Sequence, residues 1–169
     1  CWSAMGEGAM VDWSALFLGE MAQVSPADAA LGYTVFSIAM VITRLTGDQV
    51  TRRLGTTITA RLAGVIATTG TCCAVILGTY AWTLTGFALM GVGYAGIMPL
   101  AFSRAANDLD LPPGTAIASV STLGYGGLLL GPPVIGFIAD ATDLRTGFAV
   151  LAALAALIIV LAQAVRRPT

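Results

Sequence analysis

The segment 60–80 reads ARLAGVIATTGTCCAVILGTY, and after Arg61 it contains no charged side chain. A helix of about twenty apolar residues matches the roughly 30 Å hydrocarbon core of a lipid bilayer. Similar stretches fill almost the whole chain, and we predict six membrane spans, at about 1–21, 27–46, 60–80, 83–102, 115–139 and 144–165. The sequence therefore predicts an all-α protein of six transmembrane helices with the lipid bilayer as its surroundings.

The composition supports this prediction. The chain is 10% charged and 57% apolar, with a mean hydropathy of +0.86, whereas soluble domains are about 25% charged. It has no histidine, which removes most zinc sites, haem ligation and histidine-based acid–base chemistry. Cys72 and Cys73 lie side by side in the third span and are interpreted as small apolar fillers. We expect no metal, no cofactor and no nucleic-acid partner.

The positive charges lie on one side of the predicted spans. Seven of the eight basic residues lie in the connections after the second, fourth and sixth spans or at the span ends beside them, namely Arg44, Arg52, Arg53, Arg61, Arg104, Arg166 and Arg167. The opposite side holds Arg145 and the acidic residues Glu20, Asp28, Asp140 and Asp143. Because arginine and lysine mark cytoplasmic connections, both ends of the chain are predicted to be cytoplasmic. The Ala- and Gly-rich composition with arginine as the only base favours a bacterial inner membrane.

The chain also resembles itself at an offset of 92 residues. The matches are Leu31-Gly32-Tyr33 with Leu123-Gly124-Tyr125, Asp48 with Asp140, Arg53 with Arg145, and Gly55 with Gly147. Three spans separate each pair, so the matched helices run in opposite directions. Inverted three-helix repeats are a known construction of secondary transporters. Glycine and leucine are frequent here, which leaves chance matching as the alternative.

Three motifs resemble those of the major facilitator superfamily. The segment 47–55, GDQVTRRLG, is similar to the Gly-x-x-x-Asp-Arg-x-Gly-Arg signature of that superfamily, in the looser form found in its second half. The glycines and prolines of 124–136 resemble helix eleven. The opening EGAMVDWS, 7–14, resembles helix seven of a bacterial branch related to sugar permeases.

The resemblance implies the C-terminal six helices of a twelve-helix transporter, with the N-terminal half missing upstream. It implies that the first and fourth spans line a central cavity, while the second and fifth face the other half. A cytoplasmic gate would consist of Gly47, Asp48, Arg52, Arg53 and Gly55. We expect secondary transport of a small solute by alternating access together with the missing half; substrate and direction stay open.

Two acidic residues fall inside the first span. Glu7 and Asp12 are five residues apart, which places them about 140° apart around a helix. An acid at a helix centre costs roughly 2.5–3.5 kcal/mol on insertion scales and normally has a use. We expect that at least one of them couples proton movement to transport. The alternative is that both are hydrogen-bonded anchors between helices.

Further candidates are aromatic or small. Trp13 either stacks on a substrate or packs between helices, and Tyr94 is predicted to line the cavity from the fourth span. Gly127 and Gly131 allow close helix contact. Pro132 and Pro133 are expected to break or kink the fifth span, which serves either conformational switching or plain packing.

The residue composition of the chain argues against an intramembrane enzyme. Intramembrane serine proteases and metalloproteases need histidine, and an aspartyl type needs two facing acids, whereas Asp12 is the only membrane-embedded aspartate at that depth. The remaining alternative to a transporter is a non-transporting scaffold or receptor of the same fold. The sequence favours the transporter.

Overall fold

A computed structural model of the chain describes residues 2–107 and 111–161. The described residues form seven helical segments and no strand: α1 Trp2–Ala22, α2 Pro26–Leu54, α3 Thr56–Leu77, α4 Tyr80–Ala95, α5 Ile97–Ala106, α6 Pro113–Ala141 and α7 Leu144–Leu161. Gly96 alone separates α4 from α5, so the two make one membrane pass. The prediction of an all-α bundle with six passes is confirmed.

Length and hydropathy agree with a membrane location. Within the described residues, four stretches are long and apolar enough to cross a bilayer: Pro26–Leu54, Thr56–Leu77, Tyr80–Ala106 and Pro113–Ala141. The last helix, α7, is apolar but shorter. The first, α1, has 21 residues and is not among the four. It carries Glu7, Asp12 and Glu20, as expected of a helix that borders a polar space.

Several predicted boundaries were wrong. The segment 47–55 lies between the predicted spans 27–46 and 60–80, yet α2 continues to Leu54 and only Gly55 leaves the helix, at φ +80°. Arg52 and Arg53 occupy the last turn, where cations are favoured by the negative end of the helix dipole. The 29 residues of α2 make a helix of about 43 Å, which is longer than the roughly 30 Å hydrocarbon core.

Two other expectations about helix continuity also need correction. The predicted span 83–102 was expected to be one helix, but it is longer at both ends and interrupted at Gly96. Pro132 and Pro133 were expected to break or kink the span; α6 is helical from Pro113 to Ala141, so the break is absent, while the kink stays a prediction. Cys1, Arg166 and Arg167 lie outside the described residues.

Three phenylalanines form the centre of the bundle. Phe17 of α1, Phe87 of α4 and Phe148 of α7 are all fully buried. Their ring centroids lie 4.2 Å apart for Phe17 and Phe148, 5.9 Å for Phe17 and Phe87, and 6.0 Å for Phe87 and Phe148. These separations are typical of favourable aromatic pairs. The cluster joins the two halves of the bundle, since α1 belongs to the first three passes and α4 and α7 to the last three.

The inverted repeat appears as a pair of matching helix crossings. Gly8 of α1 lies against the carbonyl oxygen of Leu128 on α6, and Gly91 of α4 lies against that of Phe36 on α2. Phe36 and Leu128 are separated by the same 92 residues as the sequence matches. The first crossing joins passes one and five, the second joins passes four and two, so the crossings run in opposite directions. The fold is two inverted three-helix repeats.

Helix α3 of the first repeat packs closely against α4 of the second. Gly70 of α3 and Gly86 of α4 face each other so closely that a Cβ on either would collide with the other's carbonyl oxygen. Gly93 lies in the same way against Ala67. Small residues allow such backbone contact between membrane helices. The close α3–α4 contact leaves α1, α2, α5 and α6 to surround the polar space described next.

Candidate functional site

An ion pair links the first two helices. Nη2 of Arg44 on α2 donates to both carboxylate oxygens of Glu7 on α1, at 3.1 Å to Oε1 and 3.3 Å to Oε2. The side chain of Arg44 is 43% exposed and that of Glu7 is 26% exposed. Both side chains are therefore only partly covered by the helices of this chain.

The pair borders a cavity of about 470 Å³. Four of the six passes contribute to its wall, namely α1, α2, α5 and α6, with Glu7, Arg44, Met98, Phe102, Tyr125 and Leu128 among the lining residues. Of the described residues that line it, Glu7 and Arg44 are the charged ones. This volume is within the range of about 300–1,000 Å³ typical of small-molecule sites, which are mostly apolar with a few polar groups.

Arg44 was missed as a functional residue by sequence reasoning. It was counted only as one of the arginines that mark the cytoplasmic side. A signal was nevertheless present, because Arg44 falls inside the predicted span 27–46 and a charged residue inside a span is expected to have a charged partner. The partner was not identifiable from sequence, since 37 residues separate Arg44 from Glu7.

Asp12 and Trp13 lie on a different face of α1. They line a second cleft, of about 530 Å³, between α1 and α6, together with Phe137 and Asp140. Asp12 is exposed there. This agrees with the expectation that Glu7 and Asp12 point in different directions. In residues 2–107 and 111–161 no group of three or more acidic, cysteine or histidine side chains is arranged to bind a metal ion.

Trp13 is attached to α6. Its indole N–H donates to the carbonyl oxygen of Pro132 at 3.0 Å, and its ring lies over Gly136, where a Cβ would approach it to 2.9 Å. The indole is half-buried. Trp13 thus packs between helices in this bundle, while its remaining surface borders the same cleft as Asp12.

The position of Tyr94 corrects the prediction that it lines the cavity. Its side chain is 2% exposed and belongs to the apolar core. The ring lies under Gly6 of α1, and the hydroxyl is hydrogen-bonded to Thr71 of α3. Tyr94 is on the inner face of α4 because the helix turns its glycines Gly91 and Gly93 toward α2 and α3. The same pass does reach the cavity, but through α5, with Met98 and Phe102.

The residues of the expected gate motif lie at the C-terminal end of α2. Gly47 and Asp48 line a pocket of about 410 Å³ between α2, α3 and α5. Arg52 and Arg53 are exposed on the last turn, and Gly55 makes the tight connection to α3. Arg44 borders both this pocket and the cavity, so it separates the two. The gating role of the motif stays a prediction.

The glycines and prolines of α6 form its contact with α1. Gly127 and Gly131 are buried, and a Cβ on Gly131 would collide with the carbonyl oxygen of Met5. Pro132 has no N–H, which leaves the carbonyl of Leu128 without its usual helical donor. That carbonyl faces Gly8. The predicted close contact is therefore observed at Gly131, between α6 and α1, and the switching role stays a prediction.

Six passes arranged as two inverted three-helix repeats are a construction found in membrane transporters. The family model of the Major Facilitator Superfamily matches residues 3–169, and the chain belongs to this superfamily. It is 46% identical over 165 residues to an uncharacterised transporter of Sinorhizobium fredii, which covers 98% of this chain and 44% of that protein. It is 37% identical over 163 residues to an uncharacterised MFS-type transporter of Yersinia pestis, covering 96% and 42%.

A further relative is the membrane protein MosC of Rhizobium meliloti, 37% identical over 138 residues, or 82% of this chain and 34% of that protein. The chain thus spans less than half the length of these three relatives. Its family and its location in a membrane follow from these similarities, and they point to transport rather than catalysis.

Proposed function

We propose that this chain is the C-terminal half of a proton-coupled secondary transporter, which moves a small solute by alternating access against a preceding half. Two observations support it. The relatives are more than twice as long as the matched region, and the cavity bordered by Glu7 and Arg44 is lined by four of the six passes of this chain. Alternating access requires a second bundle to close such a site.

The Glu7–Arg44 pair is the observation that carries the proposal. A charged pair among apolar walls is an expensive feature in a membrane and is normally functional. Protonation of Glu7 would remove its charge, and with it the attraction that holds Arg44. A proton that enters the cavity therefore changes a contact between two helices, which is what coupling requires.

The position of this pair explains how the change would be transmitted. The tight backbone crossings join α1 to α6 and α2 to α4, so these helices form two closely packed pairs. Glu7 is on the first pair and Arg44 on the second. Their ion pair bridges the two, and its loss weakens the link between them on one side of the bundle. We propose that protonation lets the helix pairs shift relative to each other while each crossing stays intact.

Asp12 is the second acidic candidate in α1. It is exposed in the cleft that Trp13 and Phe137 border, and no ion pair of Asp12 with a described residue is present. In the proposal it contributes to the surface that faces the other half or the solute, while Glu7 carries the proton. The two roles are separable because the side chains lie in different cavities.

The experiment uses the full-length protein that contains this chain, purified and reconstituted in liposomes. Its solute is first identified by thermal stabilisation in a panel of sugars, amino acids, organic acids and amines. Uptake of the radiolabelled solute is then measured with and without an imposed pH gradient. Glu7→Gln is expected to abolish the stimulation by the gradient and Asp12→Asn to retain it. Glu20→Gln is the matched control, since Glu20 is an exposed acid on the same helix. Gradient-stimulated uptake by the Glu7→Gln protein would contradict the proposal.

We also propose that the protein resides in the bacterial cytoplasmic membrane with the C-terminal end of this chain in the cytoplasm. The arginine distribution supports this orientation. Fusions after Thr169 test it. Green fluorescent protein is expected to fluoresce there and alkaline phosphatase to be inactive, and the reverse pattern would exclude the orientation.

A further inference from the structure

We infer that the solute is a small organic anion with an apolar body, which binds to Arg44 by displacing Glu7. This inference rests on the proposed function and specifies its substrate class. It follows from the composition of the cavity, from the geometry of the ion pair and from the charge balance of the site.

Apart from Glu7 and Arg44, the cavity is lined mainly by apolar side chains. Met98 and Phe102 of α5, with Tyr125 and Leu128 of α6, surround the charged pair. An apolar wall with one positive group suits a molecule that has a hydrophobic or aromatic body and one carboxylate. A sugar with many hydroxyls would find few hydrogen-bonding partners among these described lining residues.

The contact between Arg44 and Glu7 uses only part of the hydrogen-bonding capacity of the guanidinium. In the described contacts only Nη2 of the guanidinium bonds to Glu7, and it does so at 3.1 and 3.3 Å. The Nη1 and Nε N–H groups are not used by Glu7. A guanidinium binds a carboxylate best through two nitrogens at about 2.7–2.9 Å, so a solute carboxylate is able to make a better contact than Glu7 does.

The charge balance selects an anion. When a solute carboxylate takes Arg44, Glu7 is left without its cation in a confined cavity, where an unpaired charge is costly. Uptake of one proton by Glu7 restores the original net charge. The anion and the proton therefore enter the site together.

A cationic or neutral solute does not use the pair in this way. A cation that bound Glu7 would leave Arg44 unpaired, and a guanidinium does not release its proton in proteins. A neutral solute would not compete with Glu7 for Arg44, so its binding would not by itself release Glu7 from the pair. Only an anion converts the exchange of partners at Arg44 into proton binding at Glu7.

The other titratable groups near Glu7 do not provide a competing explanation. Across the cavity α6 presents Tyr125, and the lining residues of α5, namely Met98, Pro99 and Phe102, are not titratable. Asp48 is one helical turn beyond Arg44 on α2 and lines the neighbouring pocket. It is the one further carboxylate within reach of Arg44 among the lining residues of these two pockets, so an Asp48→Asn variant belongs in the test.

The test measures ligand-dependent thermal stabilisation of the purified full-length protein at pH 6.0 and pH 7.5. The probes are two matched sets, benzoate with benzamide and benzylamine, and hexanoate with hexanamide and hexylamine. We expect saturable stabilisation by one or both carboxylates and none by the amides or amines. Apparent affinity should increase as pH falls, by up to about tenfold per pH unit for one linked proton.

Variants assign the effect to the pair. Arg44→Gln should abolish carboxylate binding, and Arg44→Lys should weaken it about tenfold, because lysine keeps the charge and loses the planar fork. Glu7→Gln should bind the carboxylate with no dependence on pH, and Asp48→Asn should keep the dependence. Arg61→Gln on α3 is the control for loss of a positive charge. Melting temperatures without ligand identify any variant that fails to fold. If Arg44→Gln does not fold, the loss of affinity in Arg44→Lys is used in its place to test the role of Arg44.

Three results would overturn the inference: stabilisation by the amides or amines equal to that by the carboxylates, unchanged carboxylate binding in Arg44→Gln, or no binding of either carboxylate. Proton-coupled uptake of a neutral or cationic solute that Glu7→Gln abolishes would also overturn it, while leaving the proposed function intact. If Glu7→Gln left proton coupling unchanged, the proposed function itself would fail.

Discussion

Gly8 of α1 lies against the carbonyl oxygen of Leu128 on α6, four residues before Pro132. Proline at 132 removes the N–H that would otherwise bond to this carbonyl. The backbone of Gly8 occupies the space beside it, as is common where Cα–H groups approach carbonyls between helices. The proline of one helix and the glycine of the other therefore make a single feature. Contact with α1 is a reason why α6 tolerates two prolines without a break.

Alanine at this crossing is expected to destabilise the protein. Gly8→Ala and Gly131→Ala would each place a methyl group onto a carbonyl oxygen of the facing helix, and such overpacking costs roughly 1–3 kcal/mol. Gly126→Ala is the matched control, because a Cβ there meets nothing within 4 Å. It should be neutral or slightly stabilising. Thermal unfolding of the full-length protein in detergent measures all three, and equal melting temperatures would show that the crossing is looser than described.

The indole hydrogen bond of Trp13 is expected to contribute to the same contact. Trp13→Phe removes the N–H that donates to the carbonyl of Pro132, and the loss of one such bond costs about 1 kcal/mol. Trp82→Phe is the control, since Trp82 is 50% exposed. The measurement is again the melting temperature. If Trp82→Phe lowered it as much as Trp13→Phe, the hydrogen bond would not be the cause.

The phenylalanine cluster is expected to be the most sensitive part of the core. Phe148→Ala would leave a cavity beside Phe17 and Phe87, and phenylalanine-to-alanine changes in cores cost about 3–5 kcal/mol. Phe137→Ala is the comparison, because Phe137 is 78% exposed. We expect Phe148→Ala to reduce the yield of folded protein in detergent, measured by size-exclusion chromatography, and Phe137→Ala to behave as the parent. Similar profiles for the two variants would contradict the central role of the cluster.

The start of α7 is expected to loosen in acid. The backbone N–H of Thr146 donates to Oδ1 of Asp143 at 2.6 Å, and this bond, with the Thr146 side chain and the charge of Arg145, lowers the pKa of Asp143. A lowered pKa means that the stabilisation is fully present above the usual aspartate pKa of about 3.9 and is lost as the pH falls through the lowered value.

Hydrogen exchange at the first turn of α7 measures this effect. The parent should lose protection only in acid, whereas Asp143→Ala should exchange faster at every pH. Asp143→Asn keeps an acceptor without the charge and should show little dependence on pH. Protection in the parent that did not change in acid would exclude a role for the carboxylate.

The overall arrangement was accessible from sequence because it depends on composition and periodicity. Long apolar stretches fixed the number of passes, and the 92-residue offset indicated the repeat that the crossings at Leu128 and Phe36 confirm. The ends of the helices were harder to predict from the sequence. The segment 47–55, predicted to lie outside the spans, is helical to Leu54. Apolar residues are needed only within the hydrocarbon core, whereas helical hydrogen bonding continues beyond it.

Only half of the candidate site could be predicted from the sequence. Glu7 was identified from its charge inside a span, but Arg44 was not, since their contact at 3.1 Å depends on how α1 packs against α2. Tyr94 was predicted to face the cavity and is buried at 2% exposure instead. Periodicity gives the relative directions of side chains on one helix, and it does not give the direction of the helix face within a bundle.

The sequence by itself determined that the chain is helical and spans a membrane six times, and it indicated an inverted repeat, since these properties follow from transfer energies and spacing along one dimension. Only the tertiary structure decided that Glu7 meets Arg44 and that α5 rather than Tyr94 reaches the cavity. The reason is physical: in a chain where most spans are equally apolar, the bilayer does not distinguish one helix face from another. Close packing of small residues such as Gly8 and Gly91 sets the rotation of each helix, and those contacts exist only when the helices are assembled.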